Sequence, residues 1–194
     1  IPLALGQLMS IGINTADIIA MGQLGTHELA AGSLAARYFQ PFFFMGMGLM
    51  LAVGPLVAQG LGRNDDHLAR SAFRQGLFLA VAVGLVFILP IAGGHTVLIW
   101  LGQDADILAY VDEFLLWLAV GIPFVFIYFV ARQYVISHQR PIPQVVVAAL
   151  GLGANIIANH LLINGIGPFP AMGLNGIALS TSVIYLLMGG GLLI

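Results

Sequence analysis

Apolar stretches long enough to cross a lipid bilayer recur along the whole of this 194-residue chain. A helix needs ~20 such residues to span ~30 Å of hydrocarbon. The expected fold is therefore an all-α membrane protein of six transmembrane helices, a single membrane domain over residues 1–194. Only 7% of the residues are charged, against roughly 25% in a soluble domain, so no soluble domain hides between the spans. The 25 glycines concentrate inside apolar runs, which suits close helix approach in lipid.

The spans are expected at 2–21, 29–57, 76–92, 114–134, 143–163 and 171–194. Pro2 leads the first, where a missing backbone N–H does least harm. Pro41 and Pro55 should kink the second. A loop of mixed charge should run from Gln59 to Arg74, although helix can continue from the short third span into it. Val97 to Gly102, with Trp100, reads as an interfacial segment, because an amphipathic ring suits headgroup depth. Gly165, Gly167, Pro168 and Pro170 form a turn before the last span. With no Met at its start and Gly189-Gly190-Gly191-Leu192-Leu193-Ile194 at its end, the chain reads as cut at both ends.

Arginine placement sets the expected orientation. Arg63, Arg70 and Arg74 lie between spans two and three, and Arg132 and Arg140 between four and five, so those turns should face the cytoplasm and the N-terminus should begin inside. A net charge of −2 and the absence of Lys argue against a nucleic-acid partner. Without Cys there is no disulfide framework. No nucleophile elbow, phosphate loop or dinucleotide fingerprint occurs in a suitable context, so an enzyme is not expected, and neither is a cofactor.

Asp17 stands out, about five residues from the outer end of span one. An Asp at the bilayer centre costs ~3 kcal/mol on insertion scales, less toward the edge, and such residues usually face a bundle interior or a water-filled cavity. Asn155 and Asn159, one helical turn apart on span five, share its depth. Span six carries Ser180, Thr181 and Ser182 in the same layer. Together these oxygen-bearing groups could surround a proton-binding carboxyl or a small cation; for Ser180 and Ser182 alone, interhelical hydrogen bonding is the better reading. Arg37 reads as an interfacial anchor, Arg132 as the inner end of span four, and His160 as a packing residue. His27, His67, His95 and His138 show no metal spacing. Phe42, Phe43, Phe44, Met45, Met47 and Met50 are candidates to line a substrate cavity, since Met and aromatic side chains adapt to varied shapes. Lipid-facing surface explains them equally well. The pairs Gly48/Ala52 and Ala80/Gly84 fit close helix approach.

The order of these features resembles the multidrug and toxic compound extrusion family, in its NorM-like bacterial branch. The resemblance rests on Pro2 with the Asn14-Thr-Ala-Asp17-Ile-Ile-Ala-Met-Gly22 segment, on Leu29-Ala30-Ala31 with Gly48 to Gln59, and on Asn155-Ile-Ile-Ala-Asn159 followed by Gly173 to Thr181. It implies the N-terminal six-helix lobe of a twelve-helix, two-lobed secondary transporter in the bacterial inner membrane. The C-terminal lobe, membrane lipid and small cationic or amphipathic substrates are the implied partners. The implied activity is multidrug efflux by antiport, with H⁺ or Na⁺ as coupling ion. Asp17 is assigned to the coupling site with Asn155, Asn159 and Thr181, and Pro2 to a bend of span one. Some relatives have Asp where Asn159 stands, and Ser180 replaces the usual Ala. No dedicated metal site is expected; if Na⁺ is the coupling ion, Asp17, the two Asn carbonyls and the Thr181 hydroxyl are its ligands, because hard cations prefer oxygen. The alternatives are a flippase for lipid-linked saccharides, which would line its cavity with several basic residues, and a membrane scaffold or channel subunit in which Asp17 merely joins helices.

Overall fold

The computed structural model describes residues 2–166 and 170–193, the side chains of 2, 3 and 105 excepted. The helices are α1 (Pro2–Leu24), α2 (Thr26–Leu51), α3 (Val53–Gly62), α4 (Asp66–Ala92), α5 (Gly94–Trp100), α6 (Ala105–Ser137), α7 (Pro141–Asn164) and α8 (Leu174–Gly191), and no strand occurs among the described residues. With α2 and α3 counted as one run, six of these segments are long and apolar enough to span a bilayer. The chain is a multi-pass membrane protein.

Local chemistry accounts for the boundaries. Gly25 alone separates α1 from α2, and its φ of 149° lies where a side chain is not tolerated. The second span stays helical through Pro41 and breaks at Ala52 instead. Pro55 causes that break, because it has no N–H to offer the Leu51 carbonyl, and it sits in the first turn of α3 where the missing donor is harmless. The expected loop from Gln59 to Arg74 is corrected to three residues, 63–65, between α3 and α4. Asp65 caps α4 by accepting from the Leu68 N–H at 2.9 Å, and Asp66 adds a negative charge to its first turn; both favour helix there. The interfacial segment forms the short helix α5, with Trp100 84% exposed. Gly165 ends α7 in a left-handed turn at φ 66°. Gly167, Pro168 and Ile194 lie outside the described residues.

The 33-residue α6 is the central element, packed against α8, α4 and α2. Small residues set its distance from α4. A Cβ on Gly84 would stand 2.7 Å from Pro123 Cα, and one on Gly76 would stand 3.1 Å from a Val130 methyl. Ala80 is fully buried on the same stripe. The Gly48/Ala52 expectation is corrected: nothing lies within 4 Å of a Cβ on Gly48, and Ala52 is exposed. Small residues permit close approach but do not compel it, and among the described residues nothing packs on α2 at Gly48.

Candidate functional site

Four helices, α1, α2, α6 and α8, line a cavity of about 900 Å³. On α1 the residues Gln7, Ser10, Asn14 and Asp17 all line it. Their 3-4-3 spacing places them in one stripe along the helix. That stripe was readable in the sequence from its periodicity, yet only Asp17 announced itself, because only Asp17 is an acid.

Asp17 is half-buried, and each carboxylate oxygen accepts one hydrogen bond. Asn159 Nδ2 donates to Oδ1 at 2.8 Å, and Thr181 Oγ1 donates to Oδ2 at 2.8 Å. The second hydrogen of Asn159 Nδ2 reaches Asn155 Oδ1 at 3.4 Å, and Asn155 Nδ2 donates to Thr181 Oγ1 at 3.2 Å. Behind them Ser180 donates to Asn159 Oδ1. Asn155 is 0% exposed and Asn159 3%. Three helices, α1, α7 and α8, thus meet at one carboxyl. Glycines let them approach: Gly12 faces Leu152 on α7, and Gly151 faces Met188 on α8. The resulting ring of donors satisfies an ionised carboxylate in a place where an unpaired one would be costly.

The depth-matched residues of the sequence are therefore in direct contact. Ser180 makes the expected interhelical bond, from α8 to Asn159 on α7, and through it joins the network. Ser182 does not, since its hydroxyl donates to the Ala178 carbonyl at 2.8 Å. Pro2 is the first helical residue of α1, where it interrupts no backbone hydrogen bond, and α1 runs unbroken to Leu24. His160 is exposed away from the site, with Asn164 against its carbonyl at 2.9 Å. His95 meets Asp112 at 2.6 Å in a surface pair.

Of the residues expected to line the cavity, Met47, Phe43 and Phe44 do. Phe42, Met45 and Met50 do not, which corrects the expectation. Phe42 packs on Phe87 with ring centroids 5.7 Å apart, Met50 is fully buried in the core, and Met45 is exposed on another face. Arg37 and Arg132 both line the cavity, so each has a place in its wall beyond the anchoring and span-end roles expected of them.

Removing Asn155 tests whether the ring is structural as well. Asn155→Ala leaves Asp17 both its donors but strips Thr181 and Asn159 of one partner each. An unmade buried hydrogen bond costs ~1–3 kcal/mol, so the variant should melt at lower temperature than the parent protein when thermal unfolding is followed in detergent.

Residues 2–161 match the MatE family. Among curated proteins, the chain is 32% identical over 194 residues to a probable multidrug resistance protein NorM of Mesorhizobium japonicum, covering 98% of the chain and 41% of that protein. It is 33% identical over 184 residues to the corresponding protein of Agrobacterium fabrum, covering 95% and 40%. Among solved structures, an outward-facing multidrug resistance MATE family transporter of the MOP superfamily superposes with a TM-score of 0.86 at 20% identity, covering 98% of this chain and 42% of that one. A MOP superfamily transporter from Pyrococcus furiosus gives the same values. The chain thus spans about two fifths of the length of the relatives it matches.

Proposed function

Since this chain belongs to the MatE family, we propose that it forms the N-terminal lobe of a secondary transporter exporting amphipathic compounds in exchange for H⁺ or Na⁺. The relatives bear multidrug resistance names, and on this reading an even number of spans leaves the start of α1 and the end of α8 on the same side of the membrane, the cytoplasmic side by the arginine distribution. The observation that carries the reading is Asp17. It is a carboxyl at the edge of a cavity of ligand size, gripped by two helices other than its own.

A cation taken up by Asp17 competes with those two grips. A proton converts one carboxylate oxygen from acceptor to donor. Sodium would take oxygen ligands from Asp17, Thr181 and Asn155, and would draw on Asn159 only if its amide turned, because its nitrogen faces the carboxylate. Either event loosens or redirects the contacts tying α1 to α7 and α8. Substrate affinity and ion affinity are then linked through one set of helix contacts, which is the requirement for exchange.

The flippase alternative asks for a basic cavity. Arg37 and Arg132 share this one with Asp17, a mixed lining that fits export of small amphiphiles better. The test is transport by the protein reconstituted in lipid vesicles with a cationic dye inside. Dye should leave against its own gradient when either a proton or a sodium gradient is imposed alone, and should stop when that gradient is dissipated. Dye loss at one rate with and without gradients would exclude exchange.

A further inference from the structure

Arg132 is a cation without a counter-charge. Its guanidinium donates to Gln7 Oε1 at 3.1 Å across to α1, and with the Gln144 amide of α7 turned so that its oxygen rather than its nitrogen meets these donors, Nε and Nη2 lie 2.9 and 3.3 Å from that oxygen. Both partners are neutral amides. Among the described residues no carboxylate pairs with it, and Asp17 lies ten residues beyond Gln7, ~15 Å along α1. Arg37, the other guanidinium on the cavity wall, likewise has no carboxylate within salt-bridge distance.

These contacts use three of the five guanidinium N–H donors and leave Nη1 unengaged. The two glutamines brace the group: their oxygens point at it, and Gly6 gives Gln144 room beside α1. Held donors with no acceptor, beside an apolar wall of Phe43, Phe44, Met47, Leu51 and Phe129, make a place for an anion attached to an apolar body. A braced guanidinium suits an oxyanion with two adjacent oxygens.

Deepening the export reading on which it rests, we infer that Arg132, braced by Gln7 and Gln144, is a subsite for the carboxylate of amphiphilic substrates. The cavity then binds compounds with a free anionic group, zwitterions included, more tightly than analogues in which that group is masked. Arg132 sits at the opposite end of the α1 polar stripe from Asp17, so the ion and the anionic group of the substrate need not compete for the same atoms.

Equilibrium binding tests this without any ion gradient. The purified protein in phosphatidylcholine nanodiscs is titrated with a xanthene dye bearing a free carboxylate, and with the methyl ester of the same dye. Fluorescence anisotropy should show the acid binding about tenfold tighter, equivalent to ~1.4 kcal/mol. Arg132→Gln should bring the acid down to the ester's affinity and leave the ester unchanged, while Arg132→Lys keeps part of the preference. Equal weakening of acid and ester in Arg132→Gln means a structural role and overturns the inference. So does a wild-type protein with no preference, a result that needs no variant to fold. Phosphatidylglycerol added to the nanodiscs should leave acid binding unchanged; displacement by it would make this a lipid-headgroup site and overturn the assignment. Failed efflux with the preference intact would count against the transport reading alone, whereas intact efflux without the preference would count against this subsite alone.

Discussion

Asp17→Asn should abolish gradient-driven export while the protein still folds. Asn has nearly the same shape, and its Oδ1 can keep the bond from Asn159 Nδ2. Its own NH₂ then faces Thr181, whose hydroxyl can turn from donor to acceptor. The ring closes with one bond reversed, so the thermal midpoint should move little. Charge, however, can no longer be gained or lost at this point. Site-to-site coupling is typically ~1–3 kcal/mol, or about 5- to 150-fold in affinity, and all of it should disappear: the imposed gradient should leave dye movement at the rate of empty vesicles. Thr181→Val offers the comparison, because it removes one donor and keeps the carboxyl, so export should fall without vanishing. Full gradient-driven export by Asp17→Asn would remove Asp17 from the coupling site.

Gly84→Val should be the most damaging change to the fold itself. In the middle of a helix a glycine normally costs about 1 kcal/mol relative to Ala, so its replacement would ordinarily help α4. Here the new Cβ would stand 2.7 Å from Pro123 Cα and 2.8 Å from its Cβ. A proline backbone cannot swing aside as a side chain tip can. Overpacking costs typically ~1–3 kcal/mol, and Val adds two methyls beyond that Cβ, so α4 and the central α6 must separate. Thermal unfolding in detergent should show a lowered midpoint or no folded protein. Gly48→Ala makes the opposite case: with open space around the new Cβ, it should be neutral or slightly stabilising. An unperturbed Gly84→Val would mean that the two helices are not held at this distance.

The contrast between these glycines shows what the sequence could tell. Its small-xxx-small pattern is the same at Gly48/Ala52 and Ala80/Gly84, but only the second is at a helix contact. Lipid and protein interior are equally apolar, so hydrophobicity does not say which way a spanning helix faces. For the same reason Phe42, Met45 and Met50 were indistinguishable from Met47 in sequence although they point to four different surroundings. Polar groups behave otherwise. Few are tolerated in a span, and counting residues from the span ends gives their depth, which is why Asp17, Asn155, Asn159 and Thr181 can be grouped from the sequence. Arg132 escaped that logic, because an arginine near a span end already has an ordinary explanation, and its bracing glutamines carry no charge to draw notice.

The two grips on Asp17 differ in what they can register. Asn159 Nδ2 carries only hydrogens and can only give them, whatever happens on the carboxyl. The Thr181 hydroxyl can give or receive. A proton arriving on Oδ2 would turn that oxygen into a giver, and the Thr181 hydrogen would swing away to the backbone carbonyl one turn earlier on its own helix. Whether the acid is charged would thereby be translated into the compass bearing of a single O–H on α8. The asparagine would tell α7 only that Asp17 is present, whereas the threonine would tell α8 which state it is in.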